Sequence, residues 1–380
     1  MKKVIVLDHE PWTLQRKRMI YDLFASAGIR IEVLDLSQWL YEGYSIPDEL
    51  KDEDYLRRIH SREEFDRLLD EEDPENTIIV NQVYRVWQNR AVYHDVAKRN
   101  FKTIFIDFYA NSRLRDSGAK DSHHIINRIR DAYLNIVTTK HPTLAERLGM
   151  KLYFRHHGIK AFDQGFSSNS LTKGMHGFNH PDYEKFRFQQ HTNIVEGGYI
   201  VFCDTYFPLH SDLKVLLKEK KAPSAEVYQN LMKRLFDATE EKYGVPVVIA
   251  AHPKSDYRGD EFGNRKIIKY NTDNLVYYAD KVIIHICNSI SYSILCDKPI
   301  AFVTTDDYLD FGSQANIVRQ WERGLGLKSQ NLNSIAPEEV KFMKVDPAVR
   351  EQYIYSYLTS KETENTPNAE TIKSFLESEC

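Results

Sequence analysis

A series of short, continuous apolar runs, each ended abruptly by a polar residue, constrains the fold more than any other feature; the runs lie at 4–7, 77–80, 103–106, 199–203, 247–251, 281–284 and 299–303. Runs this short and this uniformly apolar lack the alternation of a half-exposed strand. Both faces must therefore be covered, as in parallel sheets flanked by helices. Residues 13–27 have helical spacing, with Met19, Ile20, Leu23 and Phe24 on or near one face, Gly28 as a stop and 31–34 as the next strand. That is a βαβ unit. Ser224 is placed to cap a helix over 225–243, whose apolar side carries Tyr228, Leu231, Met232, Leu235 and Phe236 before Gly244 ends it. Thr272 caps a shorter one. The pattern predicts an α/β chain of two Rossmann-like domains whose parallel sheets face a central cleft.

A length of 380 residues fits two domains, because single cores seldom grow past roughly 250–300 residues. The expected division is an N-terminal domain over 1–190, a second over 197–330 and a helical tail over 331–380. The polar stretch 160–195 reads as the linker, and 359–368 is the one segment whose composition suggests disorder. Residues 47–72 are charge-rich and read as solvated helices. Within them Asp52-Glu53-Asp54 has the form of a DxD metal motif but follows no apolar strand, so no metal site is expected. No cofactor is expected either.

A net charge of −4 gives no general attraction to nucleic acid, and none is expected as a partner. Cys203, Cys287, Cys296 and Cys380 show no CxxC spacing and read as reduced thiols. No apolar run reaches the roughly 18–20 residues of a membrane span, and the first residues lead into a strand broken by Asp8. The expectation is a cytoplasmic protein without an export signal. Arg113, Arg115, Lys120, His123, His124, Arg128 and Arg130 form a basic cluster with two readings. It is either a solvated helix face or a surface for an anionic acceptor or for peripheral contact with the inner membrane. GxxxxGK[ST], GxGxxG after a strand, HExxH and GxSxG are all absent, which argues against kinase, dehydrogenase, zincin and lipase chemistry.

Ligands of open parallel sheets bind at the carboxyl ends of the strands, so the polar residues that end the apolar runs are the candidates. After 247–251 come His252, Pro253 and Lys254. An imidazole there can donate to a phosphate or protonate a leaving group, or it can simply satisfy a backbone carbonyl. After 281–284 come Asn288, Ser289 and Ser291, either a phosphate loop at a helix start or a helix-capping cluster. Asp204 ends 199–203 and is an acid/base candidate, with His210 and Asp212 as groups for sugar hydroxyls. Asp8, Glu10 and Asp107 end strands of the first domain and are rival bases.

At 250–257 (AAHPKSDY), 278–291 (YADKVIIHICNSIS) and 298–304 (KPIAFVT) the sequence resembles the GT-B-fold glycosyltransferases, and among them the bacterial surface-polysaccharide transferases with an HP motif. That group includes sialyltransferases and Kdo transferases with CMP-sugar donors. The resemblance implies that His252 contacts the CMP phosphate and assists its departure and that Ser289 and Ser291 bind the phosphate; Pro253, Lys254 and Asn288 are expected to complete the nucleotide site. Asp204 or Asp8 is the expected base, and His210, Asp107 and Arg113 are the expected groups for a glycan or glycolipid acceptor. The chain departs from the group at Cys287 and Asn288, where Ser or Thr is usual, and lacks its carboxylate-pair-then-glycine motif. The expected function is metal-independent transfer of a nonulosonic acid or Kdo from a CMP donor to a bacterial surface glycan. The rivals are a transferase for a UDP-sugar or CDP-alditol and a non-catalytic glycan-binding protein of polysaccharide assembly.

Overall fold

The computed structural model describes residues 2–46, 49–51, 53–111, 114, 144–210, 223–310 and 314–378. The chain divides into two compact units, Met1–Phe108 with His141–Asn179 and Thr359–Cys380, and Tyr109–Lys140 with His180–Leu358. Each is built on one sheet whose strand pairs are all parallel.

The first sheet contains β1 (Lys3–Asp8), β2 (Ile31–Asp35), β3 (Leu56–Arg58), β4 (Thr77–Asn81), β5 (Lys102–Asp107), β6 (Gln164–Ser167) and β7 (His176–Gly177) in the order β3-β2-β1-β4-β5-β6-β7. The second contains β8 (Ile200–Cys203), β9 (Val247–Ala251), β10 (Ile267–Lys269), β11 (Lys281–Ile284), β12 (Ile300–Thr304) and β13 (Gln330–Asn331) in the order β10-β9-β8-β11-β12-β13. Both are the doubly wound arrangement in which strand order reverses beside the first strand. Ligand crevices open at such points, here between β1 and β4 and between β8 and β11.

Burial on both sides explains the unbroken apolar runs. In the second sheet Ile200, Phe202, Ile249, Ile283, Ala301 and Val303 pack on one face against Met232, Leu235 and Phe236 of the helix Ala225–Tyr243. Val201, Cys203, Val248, Ala250, Val282, Ile284 and Phe302 point the other way, onto Leu275, Ile294 and Trp321. Strand residues alternate in direction, and here both directions meet a hydrophobic layer. Ser224 accepts from the Val227 N–H, and Gly244 at φ 68 closes the long helix in the left-handed conformation. The helical stretch after Thr13 begins as expected, its hydroxyl accepting from the Arg16 N–H, but its middle turn, Lys17–Tyr21, is a π-helix.

The observed limits differ from the expected ones in three places. Residues 160–195 are not a linker, because they hold β6, β7 and the helix Pro181–Phe188, whose Tyr183 joins the second core. The expected tail is split, with 331–358 in the second unit and Thr359–Cys380 in the first. The return is pinned by reciprocal amides. The Asn179 N–H donates to Asn368 Oδ1 at 2.8 Å, the Asn368 amide donates to the Asn179 carbonyl at 2.7 Å, and Thr359 donates to Asn179 Oδ1 at 2.6 Å. That buried network orders the polar segment whose composition suggested disorder. Residues 47–72 form β3 and the helix Arg62–Asp70 rather than helices alone. In the DxD stretch Glu53 pairs with Lys17 at 3.2 Å, and Asp52 lies outside the described residues.

Candidate functional site

The carboxyl edge of the second sheet is organised around Asp204, 2% exposed at the end of β8. Its Oδ1 accepts from the Tyr206 N–H at 2.9 Å, and its Oδ2 accepts from the His252 N–H at 3.3 Å and the Tyr257 hydroxyl at 2.9 Å. Burial pushes its carboxyl up to about 6, against the opposing pull of these donors. All three donors are neutral. Asp204 thus ties the β8 loop to the β9 loop, and Tyr206 is held at φ 54, a conformation uncommon for a side chain of that size.

Next along the edge, His252 is partly exposed, and its Nδ1 accepts from the Lys254 N–H at 3.1 Å. A backbone N–H can only donate, so Nδ1 is the bare nitrogen and Nε2 carries the proton in the neutral ring. The imidazole is therefore preset as a donor through Nε2. The His210 ring stands 4.5 Å from it, centroid to centroid. Lys254 is 9% exposed. Nearby in sequence, Thr205 Oγ1 and Ser255 Oγ are buried hydroxyl oxygens without a hydrogen-bond partner, and so is Thr304 Oγ1 at the end of β12.

Across the switch point, the residues after β11 divide. His285 is fully buried, with Nδ1 donating to the Val303 carbonyl at 2.7 Å and Nε2 accepting from the Tyr228 hydroxyl at 2.8 Å. Desolvation lowers it to about 4, so it is a neutral core histidine. Asn288 is exposed and Ser289 partly so. Ser291 is wholly buried, its hydroxyl donating to the Asn288 carbonyl at 3.1 Å and meeting the Asn111 amide, which also donates to that carbonyl at 2.9 Å. Ser291 shapes the loop from within and does not face outward. The helix that follows, Ile290–Leu295, is only six residues long.

The corresponding edge of the first sheet is finished differently. Asp8 is fully buried, and its Oδ2 is gripped by Arg16 through Nε at 2.7 Å and Nη2 at 2.6 Å. Its register partner Asp35 accepts from the Ser37 N–H at 2.9 Å and the Trp12 N–H at 3.2 Å, and burial, with the nearby Asp8 charge, raises it to about 6. Across this switch point His9 Nδ1 donates to the Gln82 carbonyl at 2.9 Å and the ring lies 3.9 Å from that of Tyr84. Asp107 ends β5 and accepts from the Ser167 hydroxyl at 3.2 Å.

No protein-family model matches the chain, and no curated protein sequence is similar to it. Solved structures do match. The wall teichoic acid polymerase TagF superposes with a TM-score of 0.50 at 10% identity, over 99% of this chain and 89% of that one. The glycosyltransferase SnogD from Streptomyces nogalater gives 0.50 at 9% identity over 100% of both chains, and the glycotransferase of kitacinnamycin 0.50 at 10% over 100% and 99%. The chain has the GT-B fold.

Within this GT-B chain Asp204, His210, His252, Pro253 and Lys254 come together at the edge of the second sheet, with Asn288 and Ser289 at the end of the strand on the other side of β8. Asp8 and Asp107 belong to the first unit, and Arg113 and Asp212 lie outside the described residues, as does the rest of the basic cluster. Sequence reasoning missed Tyr257, although it sits in the quoted AAHPKSDY run, because nothing in a sequence says that its hydroxyl returns to Asp204. It also missed Asn111, Asp35 and Arg16, whose roles are long-range contacts. Among the described residues no group of three His, Cys, Asp or Glu side chains is placed to hold a metal ion, and no helix is long and apolar enough to cross a membrane.

Proposed function

We propose that the chain is a glycosyltransferase that binds a CMP-activated sugar, a nonulosonic acid or Kdo, at the carboxyl edge of the second sheet and passes the sugar to a bacterial surface glycan without a metal. The observation that carries this reading is the preset imidazole of His252 at a switch point, fixed as an Nε2 donor by the Lys254 N–H and held in place through Asp204. Fold alone supports many activities, so the weight rests on these groups. In the proposed step the bond from the anomeric carbon to the phosphate oxygen breaks as the acceptor oxygen attacks that carbon. The departing CMP takes the electron pair, and its growing charge is met by His252 and Lys254. A monophosphate leaving group needs less countercharge than a diphosphate, which suits a site furnished with an imidazole and one ammonium.

Asp204 is recast by its surroundings. Both oxygens are engaged, so it is a positioning residue, and the acceptor proton passes to solvent water as the new bond forms.

Calorimetric titration with CMP, CDP and UDP tests the donor assignment. CMP should bind the wild-type chain, and His252→Ala should weaken it about 10- to 150-fold, the loss of a hydrogen bond to a charged group. A chain that binds none of the three nucleotides, or a His252→Ala variant with undiminished CMP affinity, would sink the reading. Tighter binding of UDP or CDP would move the donor class and keep the site.

A further inference from the structure

His210 and His252 come from different loops, yet their rings lie 4.5 Å apart, centroid to centroid, and are inclined by 60°. One carboxylate braces both loops. Asp204 accepts from the Tyr206 N–H at 2.9 Å on the His210 side and from the His252 N–H at 3.3 Å on the other. After Tyr206 the chain turns, with the Leu209 N–H donating to the Tyr206 carbonyl at 2.8 Å. The turn is anchored by Phe207, which is buried with its ring 5.2 Å from Tyr228 and 5.0 Å from Tyr308. His210 follows this turn and is half-buried, as is His252.

Two imidazoles side by side at a switch point, with Lys254 next along the loop, make a site for an anion. Each ring offers one N–H when neutral and a second, with a positive charge, when protonated. Asp204, the carboxylate between the two loops, has its oxygens engaged by neutral donors. We propose that His210 and His252 close together on one phosphate, that of the CMP group. The proposal rests on the donor reading above and adds to it a second imidazole. His210 is then a phosphate contact, where its sequence position alone suggested a group for sugar hydroxyls. Donors on rings this close reach one phosphate through charge-assisted bonds of about 2.7–2.9 Å. A single ring leaves the phosphate free to pivot, whereas two fix its orientation and so the line along which the bond to the sugar breaks.

Calorimetric titration of the full chain with CMP, cytidine and inorganic phosphate tests the pairing. His210→Ala should weaken CMP about 10- to 150-fold, the loss of a hydrogen bond to a charged group, and should leave cytidine unchanged. Inorganic phosphate should lose affinity in step with CMP. His210→Gln keeps a neutral donor and should lose less than His210→Ala. Melting temperatures at the wild-type value establish that both variants are folded. Undiminished CMP affinity in His210→Ala would overturn the pairing and leave the assignment of His252 standing. Equal losses for CMP and cytidine would overturn it too, since the ring would then only brace its loop. A loss confined to inorganic phosphate would do the same, by placing the pair on a phosphate other than the donor's. A wild-type chain that binds no CMP is a separate outcome, and removes the donor reading together with this pairing.

Discussion

The two sheets share one strand order and end their first strands alike, with a buried aspartate at Asp8 and another at Asp204. They differ in what surrounds the carboxylate. Asp8 faces a guanidinium, so its charge is cancelled inside the unit, and the loop it anchors is locked by an ion pair. Asp204 meets neutral donors, backbone N–H groups and a phenol, and the imidazole of His252 and the ammonium of Lys254 follow the neighbouring strand. The same topology is thus finished in one sheet by a buried ion pair and in the other by a carboxylate held through neutral donors. Fold supplies the crevice, and the placing of one cation decides which kind of edge it becomes.

The sharpest way to break this contrast is to remove the guanidinium. Arg16→Met leaves the Asp8 carboxylate buried without its partner, and the expected cost is about 3–5 kcal/mol in chemical denaturation, with Asp8→Asn/Arg16→Met recovering much of it. A loss below about 1 kcal/mol would show that the pair is solvated and that the two edges are alike.

A smaller effect lies in the pH dependence. Asp204 and Asp35 both titrate near 6 in the folded chain, above the ordinary value of 3.8. Between the two values the folded state holds more protons than the unfolded one, so the stabilisation is complete below the unfolded value and is lost as pH rises through the folded one. Each carboxyl accounts for roughly 2–3 kcal/mol. His285, lowered to about 4, acts in the opposite sense, losing stability as pH falls, so the wild-type profile alone is a mixture. The difference between wild type and Asp204→Asn isolates one group. The wild-type advantage should shrink as pH is raised from about 4 to about 7. A flat difference would mean that Asp204 is ionised throughout. The same variant separates positioning from base catalysis, since a positioning residue loses CMP affinity together with turnover, whereas a base loses ~10²- to 10⁴-fold in turnover with normal affinity.

How much of this was legible beforehand follows from range. Strands β1, β4, β5, β8, β9, β11 and β12 announce themselves because each is a local run buried on two faces. The helix Ala225–Tyr243 is bracketed by a serine and a glycine whose roles are local too. β6 and β7 were hidden because Gln164–Ser167 and His176–Gly177 are held by neighbours in the sheet rather than by their own propensity. The position of Asp204 was readable from the end of its strand. Its task was not, since that depends on Tyr257, distant by 53 residues, and on the His252 N–H, distant by 48. Ser291 read as a phosphate ligand because hydroxyls at a helix start usually face outward, and only Asn111 and the buried loop show otherwise.

The smallest perturbation refines the comparison most. Tyr257→Phe removes one donor from Asp204 and leaves the ring, which packs 5.3 Å from Phe262 and 5.2 Å from Tyr206. The phenol holds the carboxylate form, so without it Asp204 should titrate higher still, and the loss at neutral pH should be about 1 kcal/mol. At acid pH, where Asp204 is already protonated, the loss should be smaller. If Asp204 works only by bracing the β9 loop, CMP affinity should fall a few-fold in step with the stability loss, because the loop is then tied to Asp204 through the His252 N–H alone. If instead the phenol faced the substrate, turnover would drop while stability and affinity held. Denaturation at two pH values, CMP titration and turnover on the same variant distinguish these, and a variant unchanged in all three would show that the two backbone N–H groups suffice to hold the edge.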